Sequence, residues 1–277
     1  KLRTFLSGFT VALGILIFVV LYGFGNGLKN TFNEFFGNDA TNVLYLFPGR
    51  TSEPYMGYKA NRRIEFDNSD LKDIKENFAM FLDYVTPQIS KGALAKYGQE
   101  SDNYSIRAAA PSIQEAEKII LMEGRFINQS DIENKTKNIV IGRLVKKDLF
   151  KGANTIGEFI DLGGSSYRVV GVFQDDGGDR EERIIYMSYT TRQRLDKATD
   201  KVDQIIIGFK PEIGYAGAMA LGKSLNTYFR AKKYISPKDP NGMFIRNVTD
   251  QLKQNQQFAG VLQIIISFFC IGTLIAG

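Results

Sequence analysis

The side chains best suited to holding a metal ion stand together at Asp175-Asp176-Gly177-Gly178-Asp179, where closely spaced carboxylates offer the hard oxygen ligands that calcium takes. The run lacks the alternating ligands and the terminal bidentate Glu of a calcium loop, and it misses the glycine-aspartate nonapeptide repeat. A solvated hairpin tip is therefore expected there. Gly23-Phe24-Gly25-Asn26-Gly27 has the glycine density of a phosphate loop, but no strand precedes it and no Lys-Ser/Thr follows. These glycines suit close helix packing or a soft hinge, with Gly25 and Gly27 as the hinge candidates. The acid pair Glu181-Glu182 lies between Arg180 and Arg183, which reads as mixed surface charge rather than as a poised acid and base.

The chain has no His and a single cysteine, Cys270, so imidazole-based triads, His-ligated zinc and imidazole general bases cannot be built from it. No catalytic constellation remains, and the chain is read as no enzyme by itself, with no catalytic residue, cofactor site or metal site of its own. A net charge of +5, with basic residues scattered among acids, gives no support to nucleic-acid binding. Asn-x-Ser/Thr triplets at Asn103, Asn128, Asn134 and Asn247 are given no role, because such triplets arise by chance.

The elements that position these residues begin and end in lipid-like sequence. From Leu6 to about Gly25 the chain carries no charge, and Phe258 begins a second apolar run that continues to the last residue. At ~1.5 Å per residue, about twenty residues cover the ~30 Å hydrocarbon layer, and backbone polar groups in lipid require both runs to be helices. Lys1 and Arg3 beside the first run favour a cytoplasmic start, which puts the central residues outside the cytoplasm. A cleaved signal peptide is the competing reading, but its apolar core is typically ~7–15 residues and the run here is longer. Without an initiator Met, and with the second run stopping at Ala276-Gly277, a piece cropped at both ends is expected. Serine, threonine and glutamine within the runs, at Ser7, Thr10, Gln263 and Ser267, suit hydrogen bonding to other helices.

Helical periodicity continues past the first run, where Leu28, Phe32, Phe35 and Phe36 form an apolar stripe. At the other end Asn247 is placed to cap a helix, and Val248, Leu252, Ala259 and Leu262 share a face that feeds into the second run. Two facing stalks would carry movement of the central domain into the spans; ordinary amphipathic junctions at the lipid surface are the plainer alternative. Between them the pattern predicts strands at 42–47, 80–85, 104–110, 138–141, 159–162, 167–173, 184–187, 202–209 and 242–245. Helices are predicted from Asp67, over 142–150, after Ser188 and over 213–228. The fold class is α+β. Its expected division is a first transmembrane helix (1–27), a stalk (28–41), an α/β subdomain in two parts (42–111 and 202–246), an inserted β-rich subdomain (112–201), a second stalk (247–257) and a second transmembrane helix (258–277).

In order along the chain, several segments resemble the permeases of MacB-type ABC transporters. They are Lys1-Leu2-Arg3-Thr4-Phe5-Leu6, the run from Ala40 to Gly49, Glu123-Gly124-Arg125-Phe126 with Ser130-Asp131, Ile139-Val140-Ile141-Gly142, Asn154-Thr155-Ile156-Gly157 and the run from Tyr167 to Phe173. Each is weak alone, and the ordered set is specific. The resemblance implies a periplasmic core with a porter-like subdomain interrupted by a β-rich, Sabre-like one, in a multi-pass protein of the cytoplasmic (inner) membrane. It also implies a dimer, formed with itself or with a paralogous permease, and an ABC ATPase partner that would carry ATP and Mg. Some branches add a periplasmic adaptor and a TolC-like outer-membrane channel. The same architecture serves efflux, lipoprotein extraction and control of cell-wall hydrolases. The rival reading is a two-span sensor with an external ligand-binding domain; a surface enzyme anchored by two helices lacks catalytic residues.

Overall fold

In the computed structural model the described residues are 2–37, 41–197 and 199–276, and they fall into two units. Among the described residues, one unit holds the two terminal helical segments, 2–37 and 249–276, and the other is the folded domain, 41–248.

The first helix, α1 (Leu2–Gly37), is continuous through both hinge candidates. Among the described residues no helix is long and apolar enough to cross a membrane. Described side chains of the first apolar run are continuous only over 11–27, with Leu6, Ser7 and Thr10 outside them.

The domain opens with β1 (Val43–Pro48) and a short β2 (Phe66–Asp67) that leads into α2 (Asn68–Asn77). Asp67 caps α2: its carboxylate accepts from the Ser69 and Asp70 amides, and the Asp70 carboxylate accepts in return from the Asp67 amide. Next come β3 (Leu82–Tyr97) and β4 (Glu100–Ala109), which form a long hairpin about Gly98 at φ +59°. The sequence places a strand break at Pro87, yet β3 runs on through it. At Pro87 the strand has Ile205 on one side, while pairing with β4 starts only at Gln88, so a missing amide is tolerated there.

A short α3 (Ile113–Ala116) precedes β5 (Ile120–Gly124), α4 (Gln129–Asn134), β6 (Asn138–Gly142) and α5 (Arg143–Phe150). The strands β7 (Phe159–Leu162) and β8 (Ser165–Gln174) form a hairpin about Gly163 and Gly164, both at positive φ. The chain then forms β9 (Ile184–Ser188), α6 (Tyr189–Leu195), β10 (Lys201–Val202), β11 (Gln204–Phe209), α7 (Gly214–Lys232) and β12 (Met243–Asn247). It leaves through α8 (Val248–Ala276).

One ten-stranded sheet runs in the order β12-β1-β11-β3-β4-β9-β6-β8-β5, with β7 joined to β3 and β8. The stretch 112–201 therefore contributes strands to the same sheet as the flanking stretches, through the parallel β4–β9 pairing from Ser105↔Ile184 to Ala109↔Ser188. One face of the β1–β11–β3 region sends Leu44, Leu46, Ile205 and Ile207 into a buried core with Leu71 and Ile74 of α2 and Leu221, Leu225 and Phe229 of α7. That core continues without a break into Ile139, Ile141, Leu149, Val169 and Ile185. The spacing of Ala218, Leu221, Leu225 and Phe229 puts all four on one side of α7, which accounts for the helix despite its two internal glycines.

Candidate functional site

The chain enters the domain on β1 and leaves it on β12, and these two strands are hydrogen-bonded neighbours. Their antiparallel register is Leu44↔Asn247, Tyr45↔Arg246, Leu46↔Ile245, Phe47↔Phe244 and Pro48↔Met243. Alternation sends Leu44 and Leu46 into the core and leaves Tyr45 and Phe47 on the opposite face. There the Phe47 and Phe244 rings stack at 4.8 Å and the Arg246 guanidinium lies 4.3 Å over the Tyr45 ring. Both arrangements sit directly across the strand pair, where cross-strand side chains interact most strongly.

The root of β1 is tied to the next strand as well. The Asn42 side chain donates to the Phe209 carbonyl at 2.6 Å and the Phe209 amide donates back to the Asn42 carbonyl at 3.0 Å. A Cβ on Gly49 would collide with the Asn241 carbonyl, and the Gly49 amide donates to Gly242, so the far end of the pair is equally close. Entry and exit are thus fixed side by side on β1 and β12, and β1 is braced on its other side by β11.

The predicted stalk residues are distributed as follows. Side chains of Leu28, Phe32, Phe35 and Phe36 lie outside the described residues. Val248 is buried at the boundary of the domain, and Leu252 is half-buried on α8. Gly25 and Gly27 lie within unbroken helix, and a Cβ on Gly27 would meet nothing within 4 Å. Tyr45, Phe47, Phe244 and Arg246 were not singled out from the sequence; the alternation of Tyr45 and Phe47 within a predicted strand was the available signal.

The quoted motif residues serve as fasteners. Arg125 donates to both Asp131 carboxylate oxygens, at 2.6 and 3.2 Å, and Thr136 and Asn138 donate to one of them at 2.6 and 2.7 Å. Burial disfavours the charged carboxylate, but these bonds and the Asn128 amide outweigh it and hold Asp131 well below the usual carboxylate range. Arg107 pairs with Glu117 and Glu181 at 2.8 Å beside the fully buried Tyr186, whose hydroxyl donates to Glu117. Burial, then the Glu117 charge, pushes the Tyr186 phenol far up. Tyr104 is raised to about 12, chiefly by burial and then by Asp148. Lys232 and Lys233 clasp Asp70 from the end of α7, which pins the start of α2.

In the loop after β8 the Asp175 carboxylate accepts from the Gly177 amide at 2.7 Å, a local turn. Among the described residues no group of three or more His, Cys, Asp or Glu side chains is placed to hold a metal ion.

The fold is that of extracytoplasmic domains of ABC transporters. It superposes on the periplasmic region of MacB from Actinobacillus actinomycetemcomitans with a TM-score of 0.64 at 20% identity, covering 80% of this chain and 95% of that one. It matches the extracellular domain of the noncanonic ABC-type transporter YknZ from Gram-positive bacteria with a TM-score of 0.61 at 14% identity, covering 74% of this chain and all of that one. A family model for the MacB-like periplasmic core domain matches residues 4–221, and the chain belongs to that family. A relative named macrolide export ATP-binding/permease protein MacB, from Bartonella quintana (strain Toulouse), is 22% identical over 281 residues. The alignment covers all of this chain and 41% of that relative, so the chain spans about two fifths of its length.

Proposed function

We propose that the chain is the part of a MacB-type ABC permease that spans the inner membrane, carries the periplasmic domain and re-enters the membrane. The two terminal apolar runs would be its spans, and the helices leaving them would act as stalks. A cytoplasmic ABC ATPase, fused or separate, would supply ATP hydrolysis with Mg; the stalks would pass its closure to the periplasmic domain, in a dimer with itself or a paralogous permease. Export through an adaptor and a TolC-like channel, lipoprotein extraction and hydrolase control are the uses open to this design. The division into a porter-like and an inserted Sabre-like subdomain belongs to the same proposal.

The observation that carries the reading is the pairing of β1 with β12. Chain segments that enter and leave the domain on adjacent, cross-strand-bonded strands would pull on one piece of sheet, whereas entry and exit far apart would strain the domain between them. Family membership adds the setting, and the absence of a charge from Leu6 to Gly25 adds the span.

The test is to assay Phe35→Asp and Leu252→Asp in the full transporter. Each is expected to leave ATP hydrolysis running while export stops, with the periplasmic domain still folded by limited proteolysis. Normal export by both variants removes the stalk role. Cysteines placed at the exposed Met56 and Phe159 should react with a membrane-impermeant maleimide from the periplasmic side; protection of both removes the topology.

A further inference from the structure

The loop from Gly49 to Ile64 follows β1 at the end of the sheet away from Val43 and Asn247, where the chain enters and leaves. It is closed by backbone hydrogen bonds. The Ile64 amide donates to the Gly49 carbonyl at 2.9 Å, the Thr51 amide to Arg62 at 3.0 Å, and Tyr55 and Tyr58 exchange bonds of 3.1 and 2.9 Å around Met56-Gly57. Buried Asp239 clamps this ladder to the segment before β12, accepting from the Ser52 amide and hydroxyl at 2.8 and 2.7 Å. Met56 and Gly57 stand at φ +46° and +86°, the two left-handed positions of a tight hairpin turn that Asn-Gly fills best. Met56 is thus strained, and at 69% exposure burial does not offset the strain.

Tyr234, just past α7, repeats the pattern at φ +52° and 46% exposure. Among the described residues the other non-glycine positions at positive φ hold one asparagine and four lysines, so these two set a methionine and an aromatic on strained backbone in water. Tyr58 links them. It follows the turn directly, is 43% exposed and stacks on Tyr234 at 5.3 Å, while the Arg62 guanidinium lies 4.5 Å over its ring. Arg62 is itself fixed, donating to the Lys233 and Tyr234 carbonyls at 2.6 and 2.9 Å. Preorganised tyrosines, an arginine and an adaptable methionine are the side chains that anchor contacts between proteins. Strain held at an exposed surface points to use there. The loop also sets the sign of what it meets, because residues 49–63 carry Arg50, Lys59, Arg62 and Arg63 against Glu53 alone. We propose that this platform docks an acidic polypeptide segment bearing an aromatic anchor, whose ring packs on Met56, Tyr58 and Tyr234 while its carboxylates meet the positive loop. The surface belongs to the folded domain and is independent of the stalks.

The test passes the blocked peptide Glu-Asp-Phe-Asp-Glu over the full chain captured in nanodiscs of zwitterionic lipid, read by surface plasmon resonance with empty nanodiscs subtracted. Lys-Lys-Phe-Lys-Lys reverses the charge and Glu-Asp-Gly-Asp-Glu removes the anchor. A neutral chitin tetrasaccharide, added as competitor, covers sugars, the other class that stacks on tyrosine. The acidic peptide is expected to saturate one site below about 1 mM, and both altered peptides to bind about tenfold more weakly or worse. With the methionine methyls labelled for NMR, Met56 should shift on binding while the buried Met187 and Met243 stay in place. Met56→Asn gives the turn its favoured residue, so its urea midpoint should rise while the peptide binds about fivefold more weakly. Tyr234→Asn also suits left-handed backbone and should weaken binding about tenfold. The proposal is overturned by no saturation, an unmoved Met56, equal binding of either altered peptide, displacement by the tetrasaccharide, or undiminished binding by both variants. A lower midpoint for Met56→Asn overturns it too, since Met56 would then be a packing residue.

Discussion

Asp131 is almost fully buried, and donors reach it from Arg125, Thr136, Asn138 and the Asn128 backbone. Such a carboxylate is a knot, because it is itself buried and is the shared acceptor that holds Arg125, Thr136, Asn138 and the start of the helix together. Asp131→Ala is expected to destabilise the domain by about 3 kcal/mol, read as a lower urea midpoint at constant slope. Asp131→Asn keeps the shape but must turn an amide N–H toward donors, and should cost about 2 kcal/mol. The pH dependence follows from the depressed folded pKa. The stabilisation is fully present above the unfolded value near ~4 and is lost as pH falls below it toward the folded value. Wild type should therefore lose stability below about pH 4 more steeply than Asp131→Asn, while the two curves run parallel between about pH 5 and 7. The sequence shows Ser130 to Glu133 as a short capped helix or a turn. What it hides is that Asn128, at φ −124° and ψ 177°, is the cap, and that Asp131 is its reciprocal partner with an arginine and two further side chains drawn in. A cap needs an extended backbone, and which of several polar residues adopts it depends on the turn before the helix.

At the scale of elements, glycines separate two kinds of turn. Gly124 ends β5 at φ +71°, and a Cβ there would run into the Val170 carbonyl and lie 3.1 Å from the Gly171 Cα. Gly164, in the β7–β8 turn at φ +86°, has open space around the same position. Gly124→Ala should thus combine backbone strain with a collision against the partner strand and cost about 3 kcal/mol, whereas Gly164→Ala bears strain alone at about 1 kcal/mol. Urea unfolding of the two variants checks the difference; equal costs would mean that β5 yields and moves off β8. The buried strands β1, β6, β9 and β11 are legible in the sequence, because runs such as Ile139 to Ile141 are apolar and bounded by Asn138 and Gly142. The outer arms of β3 and β4 are not. Over 90–103 their residues are mostly exposed and polar, so no alternation marks a strand; the hairpin is held by its ladder, by the pairing of Ala95 and Lys96 with β7 and by Tyr97 packed on Phe150. β5 escapes for the same reason: Ile120, Met122 and Gly124 alternate with half-buried neighbours at the sheet edge, where apolar and polar positions carry little contrast. The Arg246–Tyr45 contact belongs to this scale too, and Arg246→Ala should cost about 0.5–1 kcal/mol, with no further loss when Tyr45 is already Leu.

Over the whole molecule, the least legible property is the order of strands. The parallel pairings β4–β9 and β6–β8 join segments separated by long stretches of chain, and nothing local records them. Their consequence is mechanical. The flanking stretches and 112–201 are joined by the five-pair β4–β9 ladder and by the shorter β3–β7 pairing; the first is crossed by Arg107 of β4 reaching Glu117 and Glu181, and backed by Tyr186 with Phe173 edge-on at 5.2 Å. A joint with a partly buried ion-pair network and a continuous core should not open before the rest, because opening it would break the Arg107 pairs and expose the apolar side chains packed around Tyr186. Native-state hydrogen exchange in sub-denaturing urea measures this directly. Amides of β11, near the root, and of β6, beyond the joint, are expected to open with free energies within about 1 kcal/mol of each other and with the same urea dependence. Arg107→Met, which breaks the network across the joint, should split them, lowering the protection of β6 by about 2–3 kcal/mol and that of β11 by less. If β6 already opens several kcal/mol below β11 in the wild type, the domain is two hinged bodies, and a turn applied at β1 and β12 would end at β4 instead of reaching the far edge of the sheet.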